Sequence, residues 1–336
     1  MAKRATLADV AQLSGLSITT VSMILNNRPN SRLSQDAAQR VQAAAAKLNY
    51  RPNPAARGLR MGKTRTVGFI SDEVTITRYA SAMIRGLLEE AEERDHTVLI
   101  SESGRRADRI ARALDLMLDR QADGIIVGLM GAKQIELPTA SLEVPLVVVN
   151  GTSASGQPCV LPDEFQAGYD AADHLLERGH TRIGFIGRSE ALLDPLLSVT
   201  VSQRYAGLDA AMAEAGVQFA HEVDGRFWEP DFGYRGALEI FDATSVTAVV
   251  AANDRVAFGV YQAAQERGLR IPHDISVVSF DDEYLASYLH PALTTMQIPY
   301  LEMGRTAMQL VLDGDPPPTT LVPMPLQDRS SVRRLT

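Results

Sequence analysis

Cysteine is nearly absent from this sequence: Cys159 is the only one among 336 residues. A single thiol can form neither a disulfide framework nor a thiolate metal site within the chain. Long apolar runs are missing too, since no stretch approaches the roughly 20 residues that a membrane-spanning helix needs. The N-terminal segment MAKRATLADVAQ has two basic residues with no apolar stretch behind them, unlike a secretory signal. We therefore expect a cytoplasmic protein.

Motifs of the common enzyme classes are also missing. The sequence has no GxSxG nucleophile elbow, no GxxxxGKS or GxxxxGKT phosphate-binding loop and no HExxH zinc motif. Its six histidines are scattered at positions typical of surface or turn residues, as His180 in ERGHTR and His290 before a proline. We therefore predict a protein that is not an enzyme and that uses neither a cofactor nor a metal.

What the sequence does contain is a strongly uneven distribution of charge. Hydrophobic residues make up 45% of the chain and charged residues 22%, which suits two or three domains with substantial cores. The net charge is −8, but residues 1–65 carry a formal charge of +9 and the remainder −17. A basic module joined to an acidic body is the electrostatic pattern of nucleic-acid binding. The alternative, a solvated basic tail, would lack the helical periodicity found here.

The basic segment is predicted to begin with two short helices joined by a tight turn. Thr6 and Asp9 have the spacing of a capping box, and Gly15 is placed to end the first helix. Ser17 is the predicted N-cap of the second helix, flanked by the apolar pair of a hydrophobic staple.

The second helix is predicted to present a slim, uncharged face opposite its apolar face. Helical spacing turns Val21, Ile24 and Leu25 inward. The side chains turned outward are Ile18, Thr19, Ser22 and Met23. Long acidic side chains there would repel phosphate, whereas Thr and Ser can donate to phosphates or touch base edges. The helix pair is therefore predicted to enter the major groove of DNA.

A third helix and a short segment follow. Ser34 is the predicted N-cap of the third helix, whose buried side holds Ala38, Val41, Ala45 and Leu48. In NPAARGLR, an asparagine N-cap and a proline begin a helix of about six residues, which is unstable alone in water. That segment is either a plain linker or a hinge that folds on DNA and inserts an apolar wedge into the minor groove.

The order TLADVAQLSGLSITTVSMILN and then LNYRPNPAARGLR resembles the LacI/GalR family of bacterial transcription repressors, and the resemblance runs the length of the chain. It implies that Ile18, Thr19 and Met23 read bases and that Leu59 is the wedge. Family members often carry Arg or another polar residue in the place of Met23, so we expect the operator to differ at that base pair. The predicted DNA-contacting residues are Thr6, Ser17, Ile18, Thr19, Thr20, Ser22, Met23, Asn26, Tyr50, Asn53, Ala56 and Leu59.

The acidic body alternates short apolar runs with amphipathic segments. The runs TVGFIS, TVLIS, DGIIVGL and PLVVVN are followed, after GTSASGQP, by TRIGFIG, TAVVAAND and ISVVSFDD. This alternation indicates two sets of parallel βαβ units. The resemblance implies two lobes with a cleft between them, the periplasmic-binding-protein type I architecture. The predicted fold is an N-terminal all-α helix-turn-helix domain with a hinge helix, followed by a two-lobed α/β domain.

Polar residues that follow these strands are candidates for an effector site, because ligands of open α/β sheets bind beyond the carboxyl ends of the strands. The same positions suit helix N-caps, the role that we favour for Asp254 and Asp282. The predicted effector-binding residues are Asp72, Asn150, Arg204, Trp228, Asn253 and Asp281.

The resemblance carries most of this effector set. It implies effector contacts for Asn150, Asn253 and Asp281, and it makes Arg204 the effector-binding arginine. The rigid fork of an arginine suits vicinal hydroxyl groups or a carboxylate. Trp228 suits either stacking on a sugar ring or a place in the core.

The sequence thus predicts a homodimeric repressor that binds a pseudo-palindromic operator under the control of a small-molecule effector. We favour a neutral mono- or oligosaccharide, because the cleft candidates include carboxylates and no lysine cluster for a phosphate. A dimer is favoured over a tail-linked tetramer because no heptad repeat follows the last strand. The alternative is a cytoplasmic sugar-binding or sugar-modifying protein with an accessory basic domain.

Three domains are predicted: a helix-turn-helix domain at 1–50, a hinge at 51–63 and an effector-binding and dimerisation domain at 64–336. Within the last domain, lobe 1 is predicted at about 64–160 plus 294–322 and lobe 2 at about 161–293 plus 323–336.

Overall fold

The computed structural model describes residues 5–25, 34–51, 62–73, 75, 78–104, 106–137 and 143–335. The chain divides into two units, Met1–Arg65 and Thr66–Thr336. Among the described residues, no single helix has both the length and the apolar composition to cross a membrane. Only the first two helices counted together pass that test, and they are bent by 105° at their break.

Three helices around one small core form the described part of the N-terminal unit. They are α1 (Leu7–Ser14), α2 (Ile18–Leu25) and α3 (Gln35–Lys47). The core residues are Val10, Ala11, Val21, Ile24, Ala37, Val41, Ala44 and Ala45, with Leu25, Ala38 and Leu48 partly buried against them. The inward faces of α2 and α3 are therefore those that the helical spacing predicts.

The ends of these helices follow the predicted local signals. The backbone N–H of Asp9 donates to Thr6 Oγ1 at 3.3 Å and that of Thr6 donates to the Asp9 carboxylate at 2.7 Å, which completes the capping box. Gly15 ends α1 with φ of +69°, a left-handed conformation that costs glycine little. Ser17 and Ser34 cap α2 and α3 by accepting from the backbone N–H three residues later, at 3.1 and 3.2 Å.

Within its described residues, the second unit contains twelve strands and eight α-helices. The strands are β1 (Thr66–Ser71), β2 (Thr97–Glu102), β3 (Gly124–Ile135), β4 (Leu146–Ser153), β5 (Cys159–Pro162), β6 (Ile183–Arg188), β7 (His221–Asp224), β8 (Ala248–Ala251), β9 (Ser276–Asp281), β10 (Thr294–Gln297), β11 (Thr319–Val322) and β12 (Leu326–Gln327). The helices are α4 (Arg78–Glu93), α5 (Ala107–Asp119), α6 (Glu164–Leu176), α7 (Val201–Glu214), α8 (Pro230–Ala243), α9 (Asp254–Glu266), α10 (Tyr284–Tyr288) and α11 (Tyr300–Asp313), with a 3₁₀ turn at Glu190–Leu193.

The strands form two six-stranded sheets, each the centre of one lobe. The first lobe has the order β11-β5-β4-β3-β1-β2 and the second has β12-β10-β9-β8-β6-β7. Neighbouring strands run parallel, except that β12 is antiparallel to β10. Phe69 of β1 lies opposite Ile126 of β3, and Phe185 of β6 lies opposite Val250 of β8, so fully buried side chains fill both lobes. The predicted two-lobed α/β fold is confirmed.

Helix pairs on these sheets cross at glycines. A Cβ atom at Gly168 of α6 would lie 2.2 Å from the carbonyl oxygen of Arg204, and one at Gly207 of α7 would lie 1.9 Å from that of Phe165. Gly86 of α4 approaches the backbone of α11 in the same way. Because no side chain intervenes at these crossings, the paired backbones lie in direct contact.

The chain passes between the lobes at three points within residues 143–335. It leaves the first lobe after Pro162, returns to it after Gln297 and leaves again after Val322. The predicted boundaries placed residues 161–162 in the second lobe and 294–297 in the first. Strand pairing corrects both, because β5 hydrogen-bonds within the first sheet and β10 within the second.

The lobes also touch beside these crossings. The backbone N–H of Val199 donates to the carbonyl oxygen of Ala132 at 2.7 Å, and that of Gln134 donates to the carbonyl oxygen of Pro195 at 2.8 Å. The Val199 side chain packs against the core of the first lobe. The carboxyl end of β3 therefore lies against the second lobe, and the carboxyl edges of the two sheets face each other.

Candidate nucleic-acid interface and effector cleft

The outward face of α2 is only partly open. Ile18 is 52% exposed and Thr19 is exposed, whereas Ser22 and Met23 are half-buried. Val21 and Ile24 hold the opposite face in the small core. The N-terminal turn of α2 is thus its most accessible part, and in helix-turn-helix proteins the N-terminal residues of the second helix contact base edges.

Several hydroxyl groups predicted to contact DNA are already engaged in helix caps. Thr6 Oγ1 donates to the Asp9 carboxylate at 2.8 Å, and the hydroxyls of Ser17 and Thr20 share a hydrogen bond of 2.8 Å. Tyr50 packs partly buried against the core of the three helices. These side chains stabilise the first turns of α1 and α2 and the C-terminal end of α3. Asn26, Asn53, Ala56 and Leu59, together with the hinge segment NPAARGLR, lie outside the described residues.

In the first lobe, two of the predicted effector residues meet at β3. Asp72 is 3% exposed; one carboxylate oxygen accepts from the backbone N–H of Met130 at 2.9 Å and the other from Lys133 Nζ at 3.0 Å. Asn150 is also 3% exposed, and its Nδ2 donates to the carbonyl oxygen of Leu129 at 2.9 Å. The structure therefore brings Asp72 and Asn150 to consecutive residues of the same strand.

In the second lobe, Arg204 has partners within the protein. It lies in the first turn of α7 and is 3% exposed. Its Nε and Nη2 donate to the two carboxylate oxygens of Glu164, both at 2.6 Å, and its Nη1 donates to the carbonyl oxygen of Ala252 at 2.6 Å. The fork that the sequence assigned to a ligand is filled by the protein's own carboxylate. Sequence reasoning missed Glu164, because the two partners lie forty residues apart and no local pattern relates them.

Trp228 and Asn253 lie beside this ion pair. The indole of Trp228 donates to the carbonyl oxygens of Gly187 and Gly225, both at 3.0 Å, and its ring centre lies 5.7 Å from Arg204 Cζ. Asn253 Nδ2 contacts the carbonyl oxygen of Trp228 at 3.4 Å. The Trp228 ring packs partly buried against the cores of the second lobe, so it combines a core contact with a place at the carboxyl ends of β6 and β7.

Asp281 differs from these residues because no described residue donates a hydrogen bond to its carboxylate. It ends β9 with φ of +105°, and Asp282 follows with φ of +54°, conformations that non-glycine residues rarely adopt. Such strain is characteristic of binding and catalytic sites. Burial raises the pKa of Asp281 to about 8; Arg204 opposes the shift, and the nearby carboxylates of Asp254 and Glu164 add to it.

The predicted N-cap roles of Asp254 and Asp282 are wrong. Asn253 is the N-cap of α9, since its Oδ1 accepts from the backbone N–H of Val256 at 2.9 Å. Asp254 comes one residue later and is fully buried, where it accepts from the hydroxyls of Ser279 and Thr295 at 2.5 and 2.7 Å. It also accepts from the backbone N–H of Glu283 at 2.6 Å.

Asp282 is held by an ion pair instead of capping a helix. It accepts from Arg329 Nη2 at 2.6 Å and from Gln297 Nε2 at 2.8 Å. The N-cap position of α10 belongs to Glu283, whose side chain makes no capping bond. Among the described residues, no group of three or more His, Cys, Asp and Glu side chains is arranged to hold a metal ion.

Comparison with known proteins assigns the two units. A sequence profile for "Bacterial regulatory proteins, lacI family" matches residues 6–53, and one for a "Periplasmic binding protein-like domain" matches residues 172–332. Catabolite control protein A of Priestia megaterium is 31% identical over 91% of this chain and 91% of its own length. The chain belongs to the LacI family.

Other comparisons with this LacI-family protein agree over nearly its full length. The HTH-type transcriptional repressor PurR of Escherichia coli O139:H28 is 32% identical over 92% of this chain and 90% of its own length. The crystal structure of the lac repressor dimer bound to operator and an anti-inducer covers 98% of this chain and 100% of that chain, with a TM-score of 0.78 at 25% identity. The family consists of DNA-binding transcriptional regulators and not of enzymes.

Proposed function

We propose that this LacI-family protein is a homodimeric repressor that reads a pseudo-palindromic operator through α2 and the hinge segment. Two copies of one short reading helix fit two half-sites of a symmetric operator. The +9 charge of residues 1–65 supplies phosphate contacts, and the exposed Ile18 and Thr19 supply base contacts. A repressor of chromosomal genes acts in the cytoplasm.

We further propose that a neutral sugar bound between the lobes controls operator affinity. The observation that carries this proposal is the convergence of Arg204, Trp228, Asn253 and Asp281 at the carboxyl edge of the second sheet, which faces that of the first. Sugar hydroxyls can donate to the Asp281 carboxylate, which receives no hydrogen bond from the described residues, and the partly exposed indole of Trp228 offers a face for a sugar ring. Lys133, Arg204 and Arg329 at these edges are each paired with a carboxylate, which disfavours a phosphate beside them.

Binding-site selection with the full-length protein tests the reading helix. Thr19→Ala removes a methyl and a hydroxyl from the exposed turn, and Met23→Arg introduces a bidentate donor for guanine. Each variant should change base preference at one or two operator positions and leave effector affinity unaltered. Gln42→Ala, on the exposed face of α3, is the control and should return the wild-type consensus. If all three variants select the wild-type sequence, α2 is not the reading helix.

A thermal-shift screen of mono- and disaccharides, nucleobases and sugar phosphates tests the effector class. We expect a neutral sugar to stabilise the protein and to change its affinity for the selected operator. Stabilisation by a nucleobase or a sugar phosphate alone would contradict the sugar assignment. Turnover of a sugar by a protein without DNA affinity would support the sugar-modifying alternative.

A further inference from the structure

Three of the five N–H groups of Arg204 donate to protein acceptors, and two aromatic rings lie near the guanidinium. Glu164 takes two of its N–H groups and the carbonyl oxygen of Ala252 takes a third, all at 2.6 Å. The ring centre of Phe280 lies 4.2 Å from Cζ, and that of Trp228 lies 5.7 Å away. Arg204 and Glu164 are each 3% exposed. A ligand carboxylate that bound the Nε–Nη2 edge through two parallel hydrogen bonds would have to displace Glu164.

Glu164 reaches this place from a crossing between the lobes. It is the first residue of α6, two positions after β5 of the first lobe ends at Pro162. The glycine crossing of α6 and α7 then holds its carboxylate at the first turn of α7. Displacing that carboxylate would leave a buried charge without its partner, which is strongly unfavourable.

Three basic side chains at the two edges are each paired with a carboxylate. Lys133 is paired with Asp72 at 3.0 Å, and Arg329 is paired with Asp282 at 2.6 Å. Glu164 neutralises Arg204, whereas the Asp281 carboxylate receives no hydrogen bond from a described residue. The edges therefore suit a ligand that donates hydrogen bonds.

We propose that Glu164 is the specificity-determining residue of the cleft: it fills the fork of Arg204, so that the site rejects effectors carrying a carboxylate or phosphate and selects neutral ligands that donate to Asp281. This inference rests on the proposed function, because it concerns the ligand class of the same cleft. It assigns a role to a residue outside the predicted effector set.

The test uses the full-length protein and matched ligands that share one sugar and differ in charge. Each neutral sugar, its uronic acid and its phosphate ester is measured by calorimetry and by its effect on operator binding. Wild type should respond to neutral sugars only. Glu164→Ala opens the fork, so it should prefer the uronic acid over the parent sugar by about tenfold or more, the scale of one charge-assisted hydrogen bond.

A control variant, a second Glu164 variant and an acetate titration complete the test. Glu222→Ala removes a carboxylate from the surface ion pair with Arg188 in the same lobe and should keep the wild-type preference. If Glu164→Ala does not fold, Glu164→Gln retains the volume and one acceptor for Arg204, removes the charge, and should move the preference in the same direction. Acetate, compared with chloride at equal ionic strength, should stabilise Glu164→Ala in a saturable manner and leave wild type unchanged.

The outcomes separate this inference from the function on which it rests. If the Glu164 variants lose binding of every ligand and gain no preference for the uronic acid, Glu164 has only a structural role, and the inference is overturned. Saturable carboxylate binding by wild type would overturn it as well. Failure of wild type to bind any operator would contradict the proposed function instead. The acetate measurement is independent of that result, because it tests carboxylate binding at Arg204 without DNA.

Discussion

At the scale of single residues, two neighbouring carboxylates of the second lobe have opposite surroundings. Asp254 is fully buried and accepts three hydrogen bonds, whereas no described residue donates to the carboxylate of Asp281. Burial raises the pKa of Asp254 to about 7 despite the hydrogen bonds from Ser279 and Thr295, which lower it. Asp254 ties β9, β10 and the segment before α10 together, whereas Asp281 is the carboxylate that we propose for a ligand.

The replacement Asp254→Asn should flatten the pH dependence of stability. The folded-state pKa lies above the unfolded value of about 3.9, so the folded protein binds more protons than the unfolded chain between about pH 4 and pH 7. This contribution to stability is therefore present at low pH and is lost as the pH rises through 7. Asparagine does not titrate, and the hydroxyls of Ser279 and Thr295 can rotate to accept from its amide.

Melting temperatures of both proteins across this pH window provide the measurement. Asp242→Asn, which changes an exposed aspartate of the same lobe, is the control and should keep the wild-type slope. Equal slopes for wild type and Asp254→Asn would show that Asp254 does not exchange a proton in this range.

At the scale of the element, the crossing of α6 and α7 places the buried ion pair. Gly207 lies one turn after Arg204, and Phe165, whose carbonyl oxygen it faces, follows Glu164 directly. A Cβ atom at Gly207 would therefore separate the backbones that hold both charged partners.

Gly207→Ala should destabilise the second unit by about 1–3 kcal/mol, the usual cost of overpacking a well-packed site. The sign is diagnostic, because glycine to alanine in a helix otherwise stabilises by about 1 kcal/mol. Chemical unfolding measures the change, and sugar affinity should fall with it. Gly131→Ala is the control, since a Cβ there meets nothing within 4 Å. Unaltered stability of Gly207→Ala would mean that the helices can move apart freely.

The elements also show which parts of the fold could be predicted. Capping residues such as Thr6 and Ser17 act within three residues, and long buried strands such as β4 are continuous apolar runs, so both leave a local signal. Strands such as β5, β10 and β12 have four residues or fewer and exist because distant strands pair with them. Their pairing decides the lobe boundaries, which is why those boundaries were misplaced.

The candidate site shows the same division between local and distant causes. The resemblance nominated Arg204, Trp228, Asn253 and Asp281, and the structure brings these residues together. The pairing of Arg204 with Glu164 joins two helices and has no local signature. Asn253 and Asp254 can both cap a helix, and only the tertiary surroundings place the asparagine at the cap and the aspartate in the core.

At the scale of the whole molecule, the proposed effector site lies between two lobes that, within the described residues, are joined by three chain crossings and by the backbone hydrogen bonds of Val199 and Gln134. A ligand that contacts both edges can bind one arrangement of the two lobes more tightly than another. The ratio of these two affinities sets how far the ligand shifts the equilibrium between the arrangements. If that balance also governs operator binding, the two ligands must affect each other by the same factor.

Reciprocal titration of the identified effector and the selected operator measures this coupling. We predict that the operator changes the effector dissociation constant by the same factor by which the effector changes operator affinity. At about pH 9, above the pKa of Asp281, Asp281→Asn should lose effector affinity by about tenfold or more, through loss of a charged acceptor, while it binds the operator as the effector-free wild type does. An effector affinity that is identical with and without saturating operator would contradict control of DNA binding from the cleft.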